Sequence, residues 1–281
     1  MADDPRTPWT PSPGLPLAIT RARHGWMAYN PHDLYIGRSI ERYGEFGETE
    51  LDVMRLACGP GSIVFDVGAN IGTHSVALAR HVGPSGAVFA FEPQRVVHGI
   101  LQTNAALNGL TWIHAERAGV GRVADTMLLA DYAYGADDNY GGIAMTAAQR
   151  GWPVRVVTLD EYLWLPRVDV VKIDVEGMEP DVLDGAHAFL TQYRPVLFVE
   201  NDRESTSRGV LARLLAENYR VYWHVTALYR ANNWRGDTEN VFGEKVTINV
   251  LCIPREREQN VVGLIEAVDA DAPAPVTLAP F

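Results

Sequence analysis

Val64-Phe65-Asp66-Val67-Gly68-Ala69-Asn70-Ile71-Gly72 runs an apolar segment into a turn held between two glycines. Residues 62–67 predict a buried strand, and the apolar positions Ile71, Val76, Leu78, Ala79 and Val82 predict a helix over 70–82 that Gly83-Pro84 stops. A strand entering a glycine turn at a helix start presents unpaired backbone N–H groups, which marks a nucleotide-like ligand site. A pyrophosphate-binding turn would read GxGxxG, with a middle glycine that lets the backbone approach closely. Asn70 stands here between Gly68 and Gly72, and Asp66 at the strand end would repel a pyrophosphate while suiting a cationic amino group.

S-adenosylmethionine combines an ammonium, which Asp66 could meet directly or through water, with a carboxylate suited to backbone donors around Gly68, Ala69, Asn70 and Gly72. Thr73 follows in the first helical turn. Glu92, in Phe91-Glu92-Pro93, ends the next strand about 20 residues beyond Gly72, a spacing that suits an acidic residue accepting both ribose hydroxyls. The cofactor site is therefore read as Asp66, Gly68, Ala69, Asn70, Gly72, Thr73, Glu92 and Pro93. The plainer alternative makes Gly68 and Gly72 a tight turn and Glu92 a helix cap. The coincidence of three features favours the ligand.

Outward from this turn, strands are predicted at 87–91, 112–115, 168–174 and 195–200, with helices over 49–57, 96–108, 180–192 and 207–217. Thr49 is the expected cap of the first helix. This alternation indicates a mainly parallel sheet covered on both faces. Residues 219–225 and 247–253 are two late strands with no long helix between them, as in an antiparallel pair. The pattern resembles that of class I methyltransferases, so the expected fold class is α/β, a Rossmann-like, mostly parallel sheet of seven strands with an antiparallel last strand and helices on both faces. The expected organisation is an N-terminal arm and acceptor-site lid over 1–42, a catalytic domain over 43–254 and a C-terminal tail over 255–281. Prolines make residues 1–16 a loose arm, and the tail from Glu266 has little to bury beyond a local docking of Phe281.

The 281-residue chain is 47% hydrophobic and 21% charged, a composition that folds around a substantial core. Its 24 Lys and Arg against 35 Asp and Glu give a net charge of −11, which argues against a general nucleic-acid partner. Cys58 and Cys252 fit no zinc or disulfide pattern and read as reduced thiols in a cytoplasmic protein. No signal sequence or membrane-spanning stretch is visible, so no membrane association is expected.

Ordered motifs over roughly residues 43 to 254 resemble the FkbM-type family of S-adenosylmethionine-dependent methyltransferases. They are Phe65 to Gly72, Phe91-Glu92-Pro93, Leu101-Gln102-Thr103-Asn104 with Asn108, and Val171-Lys172-Ile173-Asp174-Val175-Glu176-Gly177. Glu179, Val182-Leu183, Gly185-Ala186 and Asn249-Val250-Leu251-Cys252-Ile253-Pro254 follow. The resemblance implies a class I fold and, usually, methylation of a hydroxyl oxygen, with a place in secondary metabolism.

Strand alternation puts Lys172, Asp174 and Glu176 on one side of the sheet mouth. Asp174 is the first candidate for chemistry, at the methionine end of the donor or taking the acceptor's proton, and Glu176 the second, holding the acceptor. The alternative is an internal Lys172–Asp174 ion pair, with Glu176 and Glu179 favouring the next helix N-terminus. Asp174, Glu200 and Asn201 would supply oxygen ligands for Mg²⁺, although transfer without added metal is expected. His74 sits in the first turn after the glycine loop. His24 and His32, with Trp26, Tyr29 and Tyr35, are candidates for a lid over the acceptor, as is the insertion from Tyr229 to Arg235 around Trp234.

The expected activity is O-methylation of a small natural product, a sugar or a glycosylated metabolite. A nicotinamide-dependent oxidoreductase and a catalytically silent cofactor-binding protein are the alternatives. The expected partner is a small-molecule or carbohydrate acceptor, with the oligomeric state open and a homodimer included.

Overall fold

The computed structural model describes residues 16–130, 132–142, 151–259, 261–276 and 278–279. The arm through residue 15 and the expected docking of Phe281 lie outside these residues. The described residues begin with a hairpin, β1 (Ala18–Ala22) and β2 (Gly25–Tyr29), then α1 (Ile36–Arg42) and α2 (Glu48–Arg55). The repeating part follows as β3 (Ile63–Val67), α3 (Thr73–Val82), β4 (Ala87–Phe91), α4 (Arg95–Leu107) and β5 (Ile113–Glu116). A three-stranded sheet of β6 (Ala118–Val120), β7 (Asp125–Leu129) and β8 (Trp152–Val157) is inserted before β9 (Val170–Ile173). The remainder is α5 (Glu179–Asp184), α6 (His187–Tyr193), β10 (Val196–Glu200), α7 (Glu204–Ala216), β11 (Tyr219–Ala227), β12 (Val246–Pro254) and β13 (Ile265–Glu266).

The main sheet has the order β13-β11-β12-β10-β9-β3-β4-β5. Strands β10, β9, β3, β4 and β5 are parallel, and β12 runs antiparallel between β10 and β11. This is the class I methyltransferase sheet, with β13 added at the edge. The expected late antiparallel pair is β11–β12.

Two apolar layers cover the sheet because side chains alternate along each strand. Phe65, Val67, Val171, Ile173, Leu197 and Val199 enter one layer, packed with Phe189, Leu211 and Leu214. Val64, Val170, Phe198 and Leu251 enter the other, packed with Leu51, Val76, Leu78 and Leu101. The same alternation puts Asp66 and Lys172 on the second face, where they are direct register partners. Polar side chains thus collect where that face reaches the carboxyl ends of the strands.

Several boundaries differ from those expected, each for a local reason. The helix predicted over 180–192 is two helices, broken at Gly185. A Cβ at Gly185 would lie 2.1 Å from the Gly121 carbonyl oxygen, so close chain passage interrupts the helix. The cap of α2 is Gly47, at φ 67°, rather than Thr49. The tail is less loose than its composition suggests, since β13 pairs with β11 and Ala267 is fully buried. Cys58 and Cys252 are free thiols. No helix among the described residues is long and apolar enough to cross a membrane.

The hairpin is fixed to the core by two amides, Asn104 of α4 and Asn108 at its C-cap. Asn104 accepts a hydrogen bond from the Ala28 N–H at 2.6 Å and donates to the carbonyls of Ala28 and Ile71 at 3.0 and 2.8 Å. Asn108 repeats the pattern on Trp26. Because Asn104 is fully buried, Asn104→Ala leaves three backbone groups without partners and costs on the order of 3 kcal/mol. Urea denaturation measures this, and a loss below about 1 kcal/mol would show water replacing the amide.

Candidate active site

The glycine turn owes its shape to close backbone passage. Gly68 has φ 80°, and a Cβ there would lie 1.7 Å from the Asp174 carbonyl oxygen, so the turn can lie against the end of β9 only as glycine. Asn70 is also left-handed, at φ 49°, a conformation that asparagine tolerates. Above the turn is a cleft of about 370 Å³, within the usual range for a small-molecule site.

Of the expected cofactor residues, Gly68, Ala69, Asn70, Thr73, Glu92 and Pro93 line this cleft. Asp66 and Gly72 do not. Asp66 is fully buried beneath the turn, where its Oδ2 accepts the Ser75 hydroxyl at 2.6 Å and its Oδ1 makes an ionic contact with Lys172 Nζ at 3.4 Å. Its carboxylate therefore holds the turn's foundation instead of reaching a ligand's ammonium. Gly72 caps α3 at φ 85° and packs toward Leu101.

Glu92 is 4% exposed. Its Oε1 accepts the Gln94 N–H at 2.7 Å and its Oε2 the Asn70 N–H at 3.1 Å, leaving one lone pair on each oxygen for the cleft. Burial, reinforced by the charge of Asp66, outweighs these bonds and pushes its carboxyl up to about 7.

Lys172 is the buried cation of the site. Its Nζ lies 3.0 Å from Asp174 Oδ2, and these carboxylates outweigh the cost of burial and hold the ammonium above its usual range. The alternative raised for Lys172 and Asp174, an internal ion pair, is therefore present, with Asp174 also lining the cleft. Glu176, at φ 59°, is paired with the Arg203 guanidinium. Burial and the charge of Asp174 nevertheless push its carboxyl up to about 7. Burial and its acidic neighbours raise Glu200 as well.

Ligand atoms of Asp174, Glu176 and Glu200 lie within 4.8 Å of one another. Of the expected Mg²⁺ set, Asn201 does not line the cleft, and Glu176 takes its place beside the other two. Lys172 and Arg203 already give two of the three carboxylates a positive partner.

The expected aromatic lid is mostly elsewhere. His24 bonds to Glu48, His32 to Asp137, and Trp26 stands exposed beside Arg21. From that segment Tyr35 reaches the cleft, next to Ile36. Trp234 does not line it, although Leu228 and Lys245, at either end of the connection between β11 and β12, do.

Other lining residues carried no warning in the sequence. Glu50 lies in the first turn of α2, whose apolar residues dominated its reading, and it is 6% exposed with its Oε2 3.0 Å from His74 Nε2. Ala118, Gly119 and Val120 come from the inserted sheet, and Asn139, Gly141 and Gly142 from the loop after β7. Gln94 immediately follows an expected motif, which was the available signal for it.

The fold and the strand-end site define a chain of the class I methyltransferase type. The methyltransferase FkbM domain matches residues 66–221, more than half of the chain, and the protein belongs to that family. It is 28% identical over 145 residues to Methyltransferase 1 of Beauveria bassiana (strain ARSEF 2860), covering 44% of this chain and 58% of that protein. It is 29% identical over 168 residues to Methyltransferase sdnD of Sordaria araneosa, covering 48% and 63%. The chain thus matches less than two thirds of each relative's length. Among solved structures, methyltransferase FkbM from Methylobacillus flagellatus KT gives a TM-score of 0.46 at 18% identity, over 70% of this chain and 45% of the other. A SAM-dependent O-methyltransferase from Thermotoga maritima gives 0.48 at 15%, over 86% and 79%.

The family implies S-adenosylmethionine, and the residues present fit it. Glu92 keeps acceptor capacity for a ribose diol, Gly68, Ala69 and Asn70 line the cleft beside it, and Phe91, Ala118 and Val120 offer apolar surface to a purine.

Removing the buried cation tests this architecture. Lys172→Met leaves the fully buried Asp66 and the adjoining Asp174 without their positive partner, and the expected loss is about 3–5 kcal/mol of folding stability. Chemical denaturation reads it directly, and a variant within about 1 kcal/mol of the parent would show that both carboxylates are satisfied by other means.

Proposed function

We propose that the protein transfers a methyl group from S-adenosylmethionine to a hydroxyl oxygen of a small natural product, a sugar or a glycosylated metabolite. The observation that carries this reading is the gathering of Glu92, Asp174 and Glu200, from three parallel strand ends, around one glycine turn. Lys172 and Lys245 are the lysines among the described residues lining the same cleft, and no arginine lines it. A pyrophosphate would be repelled there, which disfavours a nicotinamide cofactor, whereas a sulfonium with its ammonium is attracted.

In this reading Glu92 accepts the ribose hydroxyls on the lone pairs left free by Asn70 and Gln94. Gly68, Ala69 and Asn70, whose N–H groups are already donated to the Phe91 carbonyl and to Glu92, form the wall beside the methionine moiety, with Thr73 and Pro93 closing the site. Asp174 faces the methionine end, and Glu176 and Glu200 face the acceptor. The bound donor supplies an activated methyl carbon whose departure neutralises the sulfonium, so alignment by the surrounding side chains supplies much of the rate. Lys172 and Arg203 occupy the positions that charge balance would otherwise offer to a cation, which supports transfer without added metal.

Incubating the pure protein and labelled donor with cell extracts should give a product heavier by about 14 Da, one CH₂. Tight donor binding with no such product across extracts would instead support the silent binding protein. Activity should survive EDTA, and abolition by chelator with rescue by Mg²⁺ would assign the acidic cluster to a metal.

Donor binding is expected to depend on Glu92. Glu92→Ala should weaken calorimetric affinity by about 1–3 kcal/mol. The ionised carboxylate is the better acceptor, and it is lost as pH falls through about 7. Wild-type affinity should therefore drop between pH 8 and pH 6, whereas the Glu92→Ala curve stays flatter. Equal pH dependence in the two proteins would remove Glu92 from the ribose site.

A further inference from the structure

We infer that His74, held by Glu50, is the group that takes the proton from the acceptor hydroxyl. This rests on the methyl-transfer reading above and adds to it the residue that activates the nucleophile.

His74 is 5% exposed yet lines the cleft, in the first turn of α3 and directly after the glycine loop. Its Nε2 lies 3.0 Å from Glu50 Oε2, and the other oxygen of Glu50 accepts from Asn249 Nδ2 at 3.2 Å. The hydrogen bond from His74 and the charge of the nearby Lys172 oppose burial and hold the Glu50 carboxyl below its usual range. Glu50 is thus an ionised carboxylate, which only accepts hydrogen bonds, so the imidazole proton in this pair sits on Nε2. That tautomer leaves the Nδ1 lone pair available, and among the described residues no hydrogen bond engages Nδ1. Phe46 meets the ring edge-on, with centroids 6.1 Å apart, and fixes its plane. A Cβ at Gly47 would stand 2.5 Å from Nε2, so glycine there makes room for the ring.

Of the acidic candidates, Glu200 is pushed toward the neutral form by burial and its acidic neighbours, and two are held in ion pairs. The Asp174 carboxylate is bound to Lys172 and the Glu176 carboxylate to Arg203. Sheet order separates the roles in space: Asn249, which anchors Glu50, is on β12, four strand positions from β4 and Glu92. At about 4.8 Å per strand this is roughly 19 Å. The Glu50 end of the dyad is therefore anchored at the opposite side of the sheet mouth from Glu92.

The step balances within these groups. The acceptor oxygen bonds to the methyl carbon as the carbon–sulfur electron pair returns to sulfur. The hydroxyl proton passes to His74 Nδ1, the Glu50 carboxylate stabilises the imidazolium, and the proton then leaves to solvent. Glu50 touches neither reactant and is a positioning residue.

The test uses S-adenosylmethionine and the extract component that yields the methylated product, with turnover followed as S-adenosylhomocysteine release. His74→Gln is expected to lower kcat by about 10²- to 10⁴-fold, with calorimetric donor affinity within about threefold of wild type. His74→Ala should behave alike and recover part of its rate when imidazole is added to the buffer, a response that a purely structural side chain would not give. Glu50→Gln should lower kcat while leaving the acceptor KM near its wild-type value, and imidazole should not restore it. The assignment is overturned if His74→Gln keeps kcat within about threefold of wild type, or if imidazole leaves His74→Ala unchanged. It is equally overturned if the loss lies wholly in donor affinity. A wild-type protein that forms no product from any extract removes the function and this inference together, and is told apart because the parent itself fails.

Discussion

Lys172 lies within 3.4 Å of Asp66 and 3.0 Å of Asp174, with its side chain 4% exposed. Asp66 and Lys172 face each other across β3 and β9, so one buried ammonium binds the strand that feeds the glycine turn to the strand that closes it. An uncompensated charge at this depth would cost several kcal/mol. The turn's backbone contact with Asp174, the position of α3 above it and the cleft between them all depend on this charge balance. Ser75 completes the arrangement by tying α3 to Asp66 from above.

The same constraint gives the cleft its chemical bias. With Lys172 committed to Asp66 and Asp174, Glu92 and Glu200 face the cavity short of positive partners, and these two and the Arg203-paired Glu176 are all pushed toward the neutral form. A cationic ligand relieves that strain and an anionic one worsens it. The wall formed by Glu50 and His74 is different, because the carboxylate there has the imidazole as a close hydrogen-bond partner. One cavity therefore holds an under-compensated side suited to a cation and a paired side suited to moving a proton.

Two long-range devices keep this cavity in shape. Asn104 of α4 and its C-cap Asn108 hold the hairpin of β1 and β2, and the antiparallel β12 brings Asn249 beside Glu200, its register partner on β10. Arg42, bonded to Asp237 and Glu239, ties α1 to the insertion between β11 and β12, whose ends supply Leu228 and Lys245 to the cleft rim.

The strand–turn–helix at Asp66 to Gly72, the alternation through β10 and the late antiparallel pair were legible in the chain alone. Those features follow from local periodicity and from glycine's access to left-handed backbone, which neighbouring residues suffice to set. The lining roles of Glu92 and Asp174 were legible too, because a parallel α/β sheet always opens at its strand ends. The hairpin, α1 and the inserted sheet were missed because their short segments lack a sustained period. Only the tertiary structure decided that Asp66 turns inward to Lys172, that Tyr35 rather than Trp26 reaches the cleft, and that Glu50 meets both His74 and Asn249. The last two contacts join residues 24 and 199 positions apart, and through-space meetings of that kind arise from packing that no local pattern encodes.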